Sequence, residues 1–190
     1  MNDLETVELL IDEENNFDGV FAISLVLDPA IESNFIHLTE ERFQLRTINE
    51  EKRLVIGIAL KANYKIPRVR GDHKFNIVFS EDTVRHASQI YMKKLRNNNT
   101  TVDHEHTVDG VSLVESWIVE DPERDKSAIY ELGANTGDWV VSMKVENESA
   151  WQGIKEGKYR GFSIEGLFEE RIANRYAQIF EKIKNIIDQV

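Results

Sequence analysis

The sequence contains no cysteine, which excludes disulfide bridges and thiolate zinc sites and leaves the chain compatible with a reducing compartment. It has no apolar run near the roughly 20 residues that cross a bilayer. Its first residues are acidic and lack the basic start and apolar core of a secretion signal. The expectation is a soluble protein, not exported by the general route, with no membrane partner. Positive charge is scarce, 23 Lys and Arg against 34 Asp and Glu, for a formal net charge of -11. A surface of that sign repels phosphate backbones, which argues against nucleic acid and for proteins as partners. No linker or internal repeat divides the 190 residues, and a hydrophobic content of 41% is enough for one core. Residues 1–190 therefore read as a single domain.

The hydrophobic pattern is mostly that of strands. Val7, Leu9 and Ile11 alternate with polar residues, and Val20 to Val26 is an apolar run ended by Pro29. Phe35 to Leu38 and Arg42 to Leu45 suggest two short strands. Leu54 to Leu60 reads as a strand buried on both faces. Tyr64 to Asp72 reads as a loop carrying Lys65, Arg68 and Arg70, the one basic cluster of an acidic chain, which either faces an acidic partner or is simply solvated. Lys74 to Phe79 alternates as a strand. Ser80 with Glu81 and Asp82 then marks a helix start, and Val84, Ala87, Tyr91 and Leu95 recur at helical spacing. In Val111 to Val119 the odd positions share one side of the pleat, which places Glu115 among apolar neighbours, where a carboxylate needs a partner. Glu120 to Thr136 reads as a surface loop, Asp138 to Val145 as a strand, and Glu148 to Lys155 as a short helix stopped by Gly157. From Glu169 to the end, Ile172, Tyr176, Ile179, Phe180, Ile183 and Ile187 trace an amphipathic helix over 169–190. It either docks on its own domain or joins two copies as a homo-oligomer.

Two stretches carry candidate chemistry. Tyr159 to Phe168 centres on Ser163 in a short apolar run flanked by Gly161 and Gly166, where the backbone can bend or be approached closely. Leu167 falls out of phase with Phe162 and Ile164, which points to a bulge at Gly166. Thr100 to Gly110 runs β-forming residues into His104 and His106 among carboxylates. A neutral imidazole can take the proton of an attacking serine hydroxyl while a third group holds the ring. At strand spacing the two histidines would project from one face, as metal ligands can. Zinc needs a third ligand, and none is clearly placed, so no metal or cofactor is assigned.

These stretches resemble a known family. Asp103-His104-Glu105, Asp109 to Trp117, Gly137 to Lys144, Trp151 to Gly157 and Gly161 to Gly166 look like the prohead proteases of tailed phages, most of all the phage serine protease branch found in defective prophages. Gly19 to Val26 leading to Asp28-Pro29-Ala30-Ile31-Glu32 extends the likeness over nearly the whole chain. The resemblance implies an α+β protein built on a mostly antiparallel β-barrel of the herpesvirus assemblin type. It further implies a Ser-His endopeptidase in the host cytoplasm, inside the immature phage head, that trims scaffold and major capsid protein and also itself. The family's serine falls on Ser163 and its histidine on His104, aligned by its distance to Asp109-Gly110. For the third catalytic member the choice is Glu115, on the strand expected to follow the histidine strand, with His106, Glu165 and Asp109 as alternatives. A non-catalytic head-assembly or scaffold protein on the same fold is the competing function.

Overall fold

The computed structural model describes residues 4–12, 19–27, 46–49 and 52–172. Strands Thr6–Leu10 (β1), Gly19–Val26 (β2), Arg46–Asn49 (β3), Leu54–Leu60 (β4), Ile66–Arg70 (β5) and His73–Val78 (β6) precede the helix Glu81–Lys93 (α1). Thr100–Val102 (β7), His106–Thr107 (β8) and Val111–Ile118 (β9) follow, then the short helix Lys126–Ile129 (α2) and strand Trp139–Val145 (β10). Helix Glu148–Lys155 (α3) and strands Gly161–Leu167 (β11) and Glu169–Ile172 (β12) complete the described residues. The strands form three four-stranded sheets, ordered β12-β1-β6-β5, β3-β4-β10-β9 and β11-β2-β7-β8. The β1·β6 and β2·β7 pairs are parallel and the other pairs antiparallel. The protein is thus α+β and mostly β-sheet. The expected barrel is not found, because the hydrogen-bonded order does not close among the described residues.

One core joins the three sheets. Ile23, Leu25, Val55, Val111, Trp139 and Met143 are all fully buried in it. A smaller cluster of Ile56, Ile58, Val119 and Val140 packs against Trp117, Tyr130, Leu132 and Ala134. Neighbouring residues of β4, Val55 and Ile56, therefore serve different clusters, which is why that strand is apolar at every position but one glycine. Helix α1 starts where its sequence says it should. The Ser80 hydroxyl accepts from the Thr83 amide at 3.3 Å, with Glu81 and Asp82 in the first turn, a cap of the kind that contributes about 1 kcal/mol. Its buried Tyr91 meets Trp139 of β10 edge to face, with ring centroids 5.6 Å apart.

Three segments differ from the sequence expectation, the first being Lys126–Ile129, a short helix inside the expected loop Glu120 to Thr136. Ile66–Arg70 is a strand rather than loop, paired with β6 across a turn at Gly71 (φ +60°). Pro67 fits there because β5 is the last strand of its sheet among the described residues, and the missing N–H leaves no ladder bond to β6 unmade. Glu169–Ile172 is also a strand, antiparallel to β1 with Val7 opposite Ile172; a lone isoleucine at the head of the apolar series suits either period. Residues 173–190 of the expected helix, and the expected strands at 35–38 and 42–45, lie outside the described residues.

Candidate active site

Ser163 sits in the middle of β11, the last strand of its sheet. Phe162 before it is buried in the core, so the alternation of the strand turns the serine to the opposite side. Across the sheet Ser163 lies opposite Ser24 of β2, and Ser24 opposite Thr101 of β7, a row of three hydroxyl residues on three adjacent strands. Glu165, two residues beyond the serine, shares its face. Thr101 Oγ1 donates to Glu165 Oε1 and fixes that carboxylate. The register slips between Glu165 and Gly166, which is the bulge expected at Gly166. A Cβ on Gly166 would stand 2.8 Å from the carbonyl oxygen of Gly19, so only glycine allows β2 this close.

His104 is presented by a strained turn. Between β7 and β8 both Asp103 (φ 48°) and His104 (φ 59°) adopt left-handed backbone conformations, and the Glu105 amide closes the turn on the Val102 carbonyl at 3.0 Å. Positive φ at both central residues is the pattern of a type I′ hairpin turn, where Asn-Gly is preferred, and non-glycine residues there cost on the order of 1–3 kcal/mol each. Two contacts with β2 hold the turn in place: the Asp103 amide donates to the Leu25 carbonyl and the His104 amide to the Ser24 hydroxyl, both at 3.0 Å. Ser24 itself is fully buried.

This turn sets the imidazole beside Glu165. Nδ1 lies 3.2 Å from Glu165 Oε1, and the two side chains are only 20% and 19% exposed. The approach is close but not aligned as a hydrogen bond, so among the described residues Nδ1 is a buried nitrogen without a hydrogen-bond partner. Ser163, His104 and Glu165 all line one cleft of about 1110 Å³. No hydrogen bond joins Ser163 to the imidazole; catalytic contacts of this kind tighten when substrate fills a site.

The other candidates lie elsewhere. His106 is on β8, 77% exposed, with Nε2 3.7 Å from Glu105 Oε2. Because the turn intervenes, it does not share a strand face with His104. Asp109 is exposed, and its carbonyl accepts from Asn147 Nδ2. Glu115 is not brought to His104. In the β9–β10 pairing Glu115 faces Ser142 and Leu113 faces Met143, so Val114 is an extra residue, and the bulge turns Glu115 away from the Val111–Leu113 face. There it accepts from Ser142 Oγ and Lys126 Nζ, each at 2.5 Å. These bonds, Lys126 first, hold its carboxyl below the usual range. Sequence reasoning missed Ser24 and Thr101. The available signal for Ser24 was that it is the one hydroxyl in the apolar run of β2.

The arrangement combines a hydroxyl, an imidazole and a carboxylate in one partly dry cleft, the ingredients of nucleophilic acyl transfer. Comparison with known proteins points the same way. Residues 43–172, more than half of the chain and a span holding all three groups, match the model of the family described as "Putative phage serine protease XkdF". No curated protein and no solved structure matches the chain.

Proposed function

The chain belongs to the phage serine protease XkdF family, and from that premise we propose that it is a Ser-His endopeptidase of phage head maturation. Ser163 is its nucleophile, His104 its base and Glu165, in place of Glu115, its orienting acid. The observation that carries this reading is the meeting of the three residues in one cleft, with His104 Nδ1 3.2 Å from Glu165 Oε1.

With Nδ1 turned to the carboxylate, Nε2 is the nitrogen left to receive a proton. Ser163 Oγ adds to the peptide carbonyl as its proton passes to Nε2, and the imidazolium so formed is stabilised by the Glu165 carboxylate. The proton then goes to the leaving amine as the C–N bond breaks. Water, deprotonated by the same imidazole, releases the acyl group from Ser163. Glu165 keeps its charge throughout. The substrates we assign are scaffold and major capsid protein, and the chain itself, within the immature head in the host cytoplasm. The kinship with the herpesvirus assemblin fold belongs to this proposal too. It is supported by the sequence motifs set out above.

Co-expression with candidate scaffold and capsid proteins, followed by intact-mass analysis, tests the reading. New defined termini are expected with the wild type and none with Ser163→Ala. Unchanged masses with the wild type, or processing that survives Ser163→Ala, would favour a non-catalytic assembly role.

A further inference from the structure

Strand β2 is buried at every position but one, and the exception is a phenylalanine. Phe21 is 39% exposed, whereas its neighbours Val20 and Ala22 and the rest of the strand are buried. The register explains the exposure. Across the β2–β11 pair Glu165 lies opposite Ala22 and Gly166 opposite Val20, so Phe21 is an extra residue without a partner across the pair. Strict alternation would put it on the other side of the sheet from Ala22. A bulge sets two residues against one and re-aims the extra side chain, here to the side of Glu165. Phe21 accordingly lines the cleft together with Ser163, His104 and Glu165. The bulge is pinned in place. Asn99 Nδ2 donates to the Phe21 carbonyl at 3.1 Å, Arg96 Nη1 to the Val20 carbonyl at 2.5 Å, and the Ile23 amide to the Asn99 carbonyl at 3.1 Å. Past Gly166 the lining is aromatic as well. Phe168 packs edge to face on Phe79, with centroids 5.0 Å apart, and its ring lies against Gly166.

We propose that Phe21 is a specificity-determining residue of the cleft, forming with Phe168 a subsite for a bulky apolar side chain of the substrate peptide about two residues from the scissile bond. This names the substrate class of the endopeptidase proposed above and rests on that reading. The spacing follows from the strand. The bulge stands against Glu165, two residues along β11 from Ser163, which is about 7 Å at the rise of a strand, and an extended peptide covers that length in two residues. The occupant is a peptide side chain because the ring shares the cleft with the nucleophile and the base, where the chain to be cut must lie. An apolar side chain is the one that gains there, since an aromatic surface left in water is covered by it. A Phe or Leu buried in this way binds about tenfold or more tightly than Ala.

Two measurements separate this inference from the function it rests on. The first is binding of fluorescein-labelled decapeptides of Ala and Ser with a single central Phe, Leu, Ala or Lys, to the full-length Ser163→Ala protein. The Phe and Leu peptides are expected to bind about tenfold or more tightly than the Ala peptide. Adding Phe21→Ala should remove most of that preference, Phe21→Leu should keep part of it, and Phe21→Glu should turn it toward Lys. Because the ring is partly exposed, Phe21→Ala should have a Tm near that of its parent. The second measurement is cleavage of the same peptides with Ser163 intact, where kcat/KM should follow the same order. Equal affinity for the Phe and Ala peptides, or a Phe preference unchanged in both Phe21→Ala and Phe21→Glu, overturns the inference whether or not any peptide is cut. A change in sedimentation with Phe21→Ala, without peptide selectivity, would assign the ring to contact between copies and also overturns it. Selective binding that depends on Phe21, with no cleavage of any peptide, leaves the inference standing and counts against the endopeptidase.

Discussion

The main-chain amide of His104 donates at 3.0 Å to the hydroxyl of Ser24, the buried residue that faces Ser163 across the β2–β11 pair. One side chain thus lies beside the nucleophile strand and holds the strained turn that carries the base. The turn gains from an anchor of this kind, because Asp103 and His104, although among the residues that tolerate it best, both hold a left-handed conformation that only glycine adopts without cost.

Ser24→Ala is therefore expected to lower kcat by about tenfold or more while leaving KM within about twofold, since the loss falls on the placement of the base and not on the peptide cleft. Ser24→Thr, which keeps the hydroxyl, should recover part of the loss. Steady-state kinetics of the two variants checks this. A change confined to thermal stability, with kcat intact, would make Ser24 a packing residue only.

Glu165→Gln keeps the size of the side chain and an acceptor for Thr101 but removes the charge beside His104. Its kcat should fall by about 100-fold or more, short of the loss in Ser163→Ala, as orienting acids contribute less than the nucleophile in triads where this has been separated. Equal activity of Glu165→Gln and wild type in a peptide-cleavage assay would remove Glu165 from the mechanism.

Gly166→Ala tests the close approach of β2 and β11. The added methyl would meet the Gly19 carbonyl oxygen at 2.8 Å and the Phe168 ring at 2.7 Å, and the carbonyl belongs to a paired strand that has little room to move. Overpacking of this kind costs about 1–3 kcal/mol, and the adjacent Glu165 would shift with the strand. Calorimetry should show a lower Tm, accompanied by reduced turnover; an unchanged Tm would mean that the bulge relaxes freely.

Much of this site was legible because local chemistry and local structure agree there. Gly161 and Gly166 frame Ser163, and the phase slip at Leu167 announced the bulge that the pairing contains. The Ser80 cap of α1 and its stripe of Val84, Ala87 and Tyr91 were equally plain, whereas Leu95, read as part of that stripe, lies past the helix end and is exposed. The placement of His104 was not, because Asp-His is an unusual filling for a turn with two positive φ angles; its stability comes from Ser24 and Leu25, some 80 residues earlier in the chain. Period-2 reading failed for Glu115 because one extra residue, Val114, reverses the face of all that follows. Glu165 was visible as sharing the face of Ser163, but its distance to the imidazole depends on a pairing of β7 with β2 that no local pattern encodes.

Glu115 has a different task from the one its sequence context suggested, and pH separates the two. Lys126 Nζ and Ser142 Oγ bond its carboxylate and hold its pKa below the ordinary value. A carboxyl whose folded pKa is depressed adds stability that is fully present above the unfolded pKa and is lost as pH falls through the folded one. The wild type should therefore have a higher Tm than Glu115→Gln at pH 7, and the gap should close on acidification below about 4, the ordinary range of a glutamate. The side chain is 46% exposed, so solvent screening limits the gap to about 1 kcal/mol at most, or about 2–4 °C for a chain of this size. Turnover at pH 7 should be close to that of wild type, because Ser142 and Lys126, rather than His104, are what the carboxylate holds. A Tm gap that stays constant from pH 7 to about 3 would mean that the stabilisation is not ionic. A large loss of kcat in Glu115→Gln without loss of fold would return Glu115 to the catalytic set and displace Glu165.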